Sequence, residues 1–102
     1  MTADYIINRM QTTIKLHGDL DEYGAGQIKN ELDEFLLSHP ARVCVFDMAD
    51  VPFVDSTGLG FLLARYKKLK AVKAELVVKN VSKQVDKVFK TSGVYSFIPK
   101  ID

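Results

Sequence analysis

The run Asp55-Ser56-Thr57-Gly58-Leu59-Gly60 sets two adjacent hydroxyls behind a carboxylate and places two glycines two residues apart. It follows the apolar stretch Val43 to Phe46, then Asp47 and a short link, so it reads as a strand, a loop and a helix start. Glycine in a helix interior costs about 1 kcal/mol relative to alanine. Two of them in a first turn point to a need for bare backbone. A nucleophilic serine in a strand-to-helix turn carries the pattern G-x-S-x-G, but Val54 stands two before Ser56 and both histidines, His17 and His39, lie upstream. An aspartyl phospho-receiver with Asp47 as acceptor and Asp19 and Asp21 around magnesium gives the Asp-Ser-Thr-Gly-Leu-Gly run no role. Gly58-x-Gly60 at a helix start offers amides to a phosphate, without the further glycines or the Gly-Lys-Ser/Thr of a nucleotide site. Two readings then stand level. Asp55 or Ser56 is a plain N-cap, or the run presents an exposed, phosphorylatable hydroxyl to another protein.

Composition narrows the partner classes. At 102 residues, with 47% apolar and 26% charged side chains, the chain is expected to form one globular domain with a real core. Fourteen basic against 13 acidic residues leave a formal charge of +1, too little to draw the chain to nucleic acid or a membrane surface. Cys44, the single cysteine, lies inside an apolar run, which excludes an internal disulfide and predicts a buried, inert thiol. The acidic start Met1-Thr2-Ala3-Asp4 leads into no long apolar stretch, so neither a signal peptide nor a membrane span is read, and a cytoplasmic location is expected. No metal or cofactor site is assigned.

Elements must position the run. Tyr5 to Asn8 and the alternating Thr12 to His17 read as two antiparallel strands, followed by a loop with Asp19 and Asp21. Ala25, Ile28, Leu32, Phe35 and Leu36 recur at helical spacing from Gly24 to Ser38, and Pro40 bars continuation. Arg42 to Asp47 is a continuous apolar run, the mark of a central strand covered on both faces by helices, or by a helix and other cover. Leu59, Leu62, Leu63, Tyr66 and Leu69 form the stripe of the next helix, with Arg65, Lys67, Lys68 and Lys70 gathered mostly opposite and toward its end. Glu75 to Lys79 is a strand, Ser82 caps a helix that Gly93 closes, and Ser96 to Ile101 is expected as an edge strand that tolerates Pro99. The order β-β-α-β-α-β-α-β predicts an α/β fold with a mixed central sheet of about four to five strands and helices packed on it. No internal repeat is read.

The segment Phe53 to Gly60, continued by Arg65-Tyr66-Lys67-Lys68-Leu69-Lys70, closely resembles the signature of the STAS-domain anti-sigma factor antagonists of bacteria. Leu16-His17-Gly18-Asp19-Leu20-Asp21 is similar to the L-x-G-E-L-D of that family, with Asp19 for the usual Glu. Val85 to Phe89 and Ser92-Gly93-Val94 are similar to its later helix and Ser-Gly close. The resemblance implies a STAS domain over residues 1–102 that is not an enzyme. Its unphosphorylated form would bind an anti-sigma factor serine kinase and release a sigma factor. Phosphorylation of Ser56, with Thr57 as a second candidate, would end binding, and a serine phosphatase would restore it. By the same matching Asp21 engages the kinase, while Asp55, Thr57, Gly58 and Gly60 shape the docking loop. The alternative within the resemblance is a scaffold subunit of a larger stress-signalling assembly, modified on Ser56 and Thr57. Two departures are visible: Val72-Lys73-Ala74 stands where relatives commonly have glycines, and the family's final helix is missing or shortened after Lys100-Ile101-Asp102.

Overall fold

The computed structural model describes residues 1–101; Asp102, the last residue of the expected domain span, lies outside them. Alternation along Gln11–His17 makes strand β2, which pairs antiparallel with β1 (Thr2–Ile6) and parallel with β3 (Val43–Asp50). Helix α1 (Glu22–Ser38) makes the crossover that a parallel pair needs. Helix α2 (Ser56–Ala71) does the same between β3 and β4 (Glu75–Lys79), and α3 (Lys83–Ser92) follows. The sheet is mixed, in the order β1-β2-β3-β4.

Register puts Ile14, Phe46 and Val78 side by side on one face. They share one core with Ile28 and Leu32 of α1, Leu62 and Leu69 of α2, and Val85 and Phe89 of α3. The helices therefore cover a single face. On the other, Val45 and Val77 are buried outside that core, flanked by the half-buried Thr13, Lys15, Asp47 and Lys79, whose stems cover apolar surface while their polar ends stay wet. Of the two kinds of cover expected for β3, a helix on one side and other cover on the second is what the fold uses.

The expected edge strand over Ser96 to Ile101 is reduced to one bridge, Val78 to Lys100. Val94–Ser96 forms a 3-10 turn instead, and the amides of Phe97 and Ile98 donate to the Val94 carbonyl at 3.0 and 2.9 Å. Pro99 has no N–H to give to a ladder. Among the described residues of this segment, two backbone bonds reach β4: the Val78 amide donates to Pro99 and the Ile101 amide donates to Val78. Ser82 caps α3 through the Val85 amide, and Gly93 ends it at φ 80°, as expected. The turn into β4 falls to Lys73, a non-glycine residue at φ 61°.

Candidate functional site: two matched helix starts

The first turns of α1 and α2 lie side by side because the loops before them are stitched together. Leu20 and Val54 form a parallel bridge; the Leu20 amide donates to the Phe53 carbonyl at 2.9 Å, and the Asp55 amide donates to the Leu20 carbonyl at 3.3 Å. Gly18, at φ 113°, bends the chain out of β2, and its amide donates to the Asp50 carbonyl at 3.0 Å. Both loops therefore leave the same end of the sheet.

Each helix opens in the same way. Asp21 precedes α1 and its Oδ1 accepts the Gly24 amide at 2.7 Å; Asp55 precedes α2 and its Oδ1 accepts the Gly58 amide at 2.8 Å. Each aspartate carbonyl then accepts an amide four residues on, from Ala25 at 2.8 Å and Leu59 at 2.9 Å. A β-carbon on Gly24 would collide with the Asp19 carbonyl, and one on Gly58 with the Leu20 carbonyl. These two glycines are required by backbone packing within the chain. Gly26 and Gly60 sit two residues further on, and a β-carbon on either meets nothing within 4 Å. Their cost of about 1 kcal/mol each against alanine has no counterpart inside the domain.

Ser56 and Thr57 are the first two residues of α2, both exposed, where the amides have no intrahelical acceptor and the dipole end is positive. Around them the surface is acidic: Asp21, Glu22, Tyr23 and Asp55 line one shallow depression, and Tyr23 is 75% exposed. Further along, Arg65 and Asp33 lock the two helices together. Arg65 is 3% exposed; its Nε and Nη2 donate to the two Asp33 oxygens at 2.9 Å each, and its Nη1 donates to the Phe61 carbonyl at 3.2 Å. Lys68 adds a third contact to Asp33 at 3.0 Å. Partial burial works to raise the Asp33 carboxyl, but the bonds from Arg65 and Lys68 outweigh it and hold the group below the usual carboxylate range. Spacing between the helix starts is thus fixed from below.

A family description for STAS domains matches residues 3–102. The chain belongs to the STAS-domain family. Among its relatives, the anti-sigma F factor antagonist of Paenibacillus polymyxa is 28% identical over 89 residues, 87% of this chain and 76% of that protein. The unphosphorylated anti-sigma factor antagonist SpoIIAA superposes with a TM-score of 0.80 at 25% identity, over 99% of this chain and 89% of that one. The phosphorylated form of the Bacillus SpoIIAA superposes with a TM-score of 0.72 at 24% identity, over 99% and 92%, and shows the same fold.

In this STAS domain the residues singled out from sequence fall into two roles. Asp55 is the N-cap and Ser56 is left free, so the choice between them resolves toward the aspartate. Asp21, expected as a loop acid, caps α1, which begins at Glu22 rather than Gly24. Gly58, expected to make room for a partner, is buried against Leu20, whereas Gly60 faces open space. Asp47 is turned to its own neighbours: its Oδ1 accepts from the Ala49 amide at 3.0 Å and from the Asn80 side chain at 3.1 Å. The sequence reading missed a short repeat. Asp21-Glu22-Tyr23-Gly24-Ala25-Gly26 and Asp55-Ser56-Thr57-Gly58-Leu59-Gly60 share the pattern D-x-x-G-x-G, and aligning the two helix starts by their cap aspartates would have revealed it. No helix among the described residues is long and apolar enough to cross a membrane.

Proposed function

We propose that this STAS domain is an anti-sigma factor antagonist. Its unmodified form binds an anti-sigma factor that is also a serine kinase, which frees a sigma factor for transcription. The kinase transfers the γ-phosphoryl group of ATP to Ser56 Oγ, with loss of the hydroxyl proton and release of ADP, and the modified chain lets go. A serine phosphatase hydrolyses the ester and resets the switch. Thr57, also exposed, is a second hydroxyl open to the same transfer. The reading is supported by relatives named as antagonists and by SpoIIAA, solved with and without phosphate.

The observation that carries the reading is the setting of Ser56: an exposed hydroxyl at the first position of a helix whose cap is already supplied by Asp55. Glu22 holds the equivalent position of α1, so one of the two matched starts already carries a negative charge there. Phosphoserine brings about −1.5 to −2 charges to the other, where open amides and the helix dipole favour an anion. The fold survives modification. The interface does not, because a partner packed closely on the small neutral hydroxyl has no room for a phosphate beside Asp21, Glu22 and Asp55. Release follows from the bulk of the phosphate and from desolvating a dianion amid these acids. A loss of about 3 kcal/mol is enough for two decades of affinity.

The test is a comparison of Ser56→Ala and Ser56→Asp by titration calorimetry against a purified anti-sigma factor kinase of this family. Ser56→Ala should bind like the unmodified chain, and Ser56→Asp at least tenfold more weakly. Equal affinities would refute the switch.

A further inference from the structure

Thr57, next to Ser56 in the first turn of α2, sits at the head of a groove of about 450 Å³ that runs down between α1 and α2. Ala25, Gly26 and Lys29 line one wall, and Thr57, Phe61 and Ala64 the other, so the groove is continuous with the surface that carries Ser56. Its floor is apolar, and the Arg65 guanidinium lies 4.3 Å from the centre of the Phe61 ring, held there by Asp33. Gly26 lines the groove, and a β-carbon there would meet nothing within 4 Å among the described residues.

Charge is divided along its length. Asp21, Glu22 and Asp55 stand at the head, while Lys29, Arg65 and Lys68 stand further down. Arg65 and Lys68 share the single carboxylate of Asp33, and Lys29 makes no ion pair among the described residues. An occupant that fits offers a basic group to the head, an apolar side chain to the floor and a carboxylate to Lys29.

We propose that this groove seats an apolar anchor residue of the anti-sigma factor kinase, with an acidic residue beside it that pairs with Lys29. The inference rests on the antagonist reading above and assigns a second contact to that partner, away from the phosphorylated hydroxyl. Gly26 is then bare so that the anchor can reach the floor, and Lys29 selects among kinases by charge.

The experiment uses the full chain and, as probe, the purified anti-sigma factor serine kinase of its own host, with affinities from calorimetry at two salt concentrations. Gly26→Leu should weaken binding tenfold or more, with Gly26→Ala between it and the unaltered chain, while its melting temperature rises because a helix glycine has been replaced. Lys29→Glu, a surface change outside the core, should weaken binding at low salt and lose part of the salt dependence. If the unaltered chain binds and both Gly26→Leu and Lys29→Glu bind equally well, the groove assignment is overturned and the Ser56 switch stands. If Gly26→Leu alters self-association of the chain and leaves kinase affinity unchanged, the groove holds a second copy and the assignment is again overturned. Failure of the unaltered chain to bind the probe refutes the antagonist reading and this inference with it.

Discussion

Leu20 and Gly58 meet backbone to backbone: the Leu20 carbonyl oxygen occupies the place where a β-carbon on residue 58 would stand, and it also accepts the Asp55 amide. The start of α2, with its exposed Ser56 and Thr57, is thereby fastened to the loop that leads into α1. Of the two glycines of the α2 start, Gly58 is thereby required by the chain's own packing, whereas a β-carbon on Gly60 meets nothing within 4 Å among the described residues.

That difference is measurable in urea unfolding. Gly58→Ala should lose about 1–3 kcal/mol through overpacking, although alanine is the better helix former. Gly60→Ala should gain about 1 kcal/mol, since its side chain points into open space.

The Arg65–Asp33 pair should matter more than an ordinary surface ion pair. Arg65→Ala leaves Asp33, 20% exposed, with only Lys68. A loss of about 3 kcal/mol is expected, at the lower edge of the range for a broken buried pair because the aspartate keeps some water. The Asp33 carboxyl is depressed in the folded chain, so its contribution is full above the ordinary carboxylate pKa and fades as pH falls through the depressed value. Acid titration of stability should show this fading in the parent chain and its absence in Asp33→Asn.

His17 supplies a dependence of opposite sign. Its Nε2 lies 2.8 Å from Asp4 and its Nδ1 2.7 Å from Asp50, and these two bonds, Asp4 first, raise its pKa above 6.5 against partial desolvation; Lys15, 3.8 Å from Asp50, competes for that carboxylate. The stabilisation is complete below the unfolded pKa of about 6.5 and is lost as pH rises through the higher folded value. The melting temperature should fall over that window, and His17→Gln should flatten the profile. An NMR titration of the imidazole that ends below its ordinary pKa would contradict the assignment.

Lys73 marks a place where this chain is not at its stability optimum. A non-glycine residue at φ 61° carries strain of about 1–2 kcal/mol. Lys73→Gly relieves it at the expense of a freer unfolded chain, so a net gain of about 0.5–1 kcal/mol is expected in thermal unfolding.

Legibility in the sequence followed how local the controlling force was. The body of the first helix, expected over Gly24 to Ser38, Ser82 as cap and Gly93 as stop depend on spacing and capping chemistry, which the residues display directly. Cys44 was legible for the same reason: its neighbours bury it, and burial pushes the thiol up to about 12. The segment after Ser96 was not, because Pro99 and the Val94 turn decide between a strand and a single bridge only once Ile98 is packed inward. The role of Gly58 was hidden too, since it depends on a carbonyl 38 positions upstream that only the folded sheet end brings near. Within the candidate site, hydroxyl and carboxylate could be named from their types, but whether Asp55 or Ser56 caps α2, and that Asp21 caps α1, needed the backbone.

The central claim is that Ser56 is the switch, and phosphosite mapping tests it most directly. The chain is incubated with an anti-sigma factor kinase of this family and ATP, then digested and mapped by mass spectrometry. One phosphate on Ser56, together with loss of kinase binding by the modified chain, is the predicted result. Phosphate found only elsewhere, or phospho-Ser56 chain that binds the kinase as tightly as the unmodified form, would contradict it.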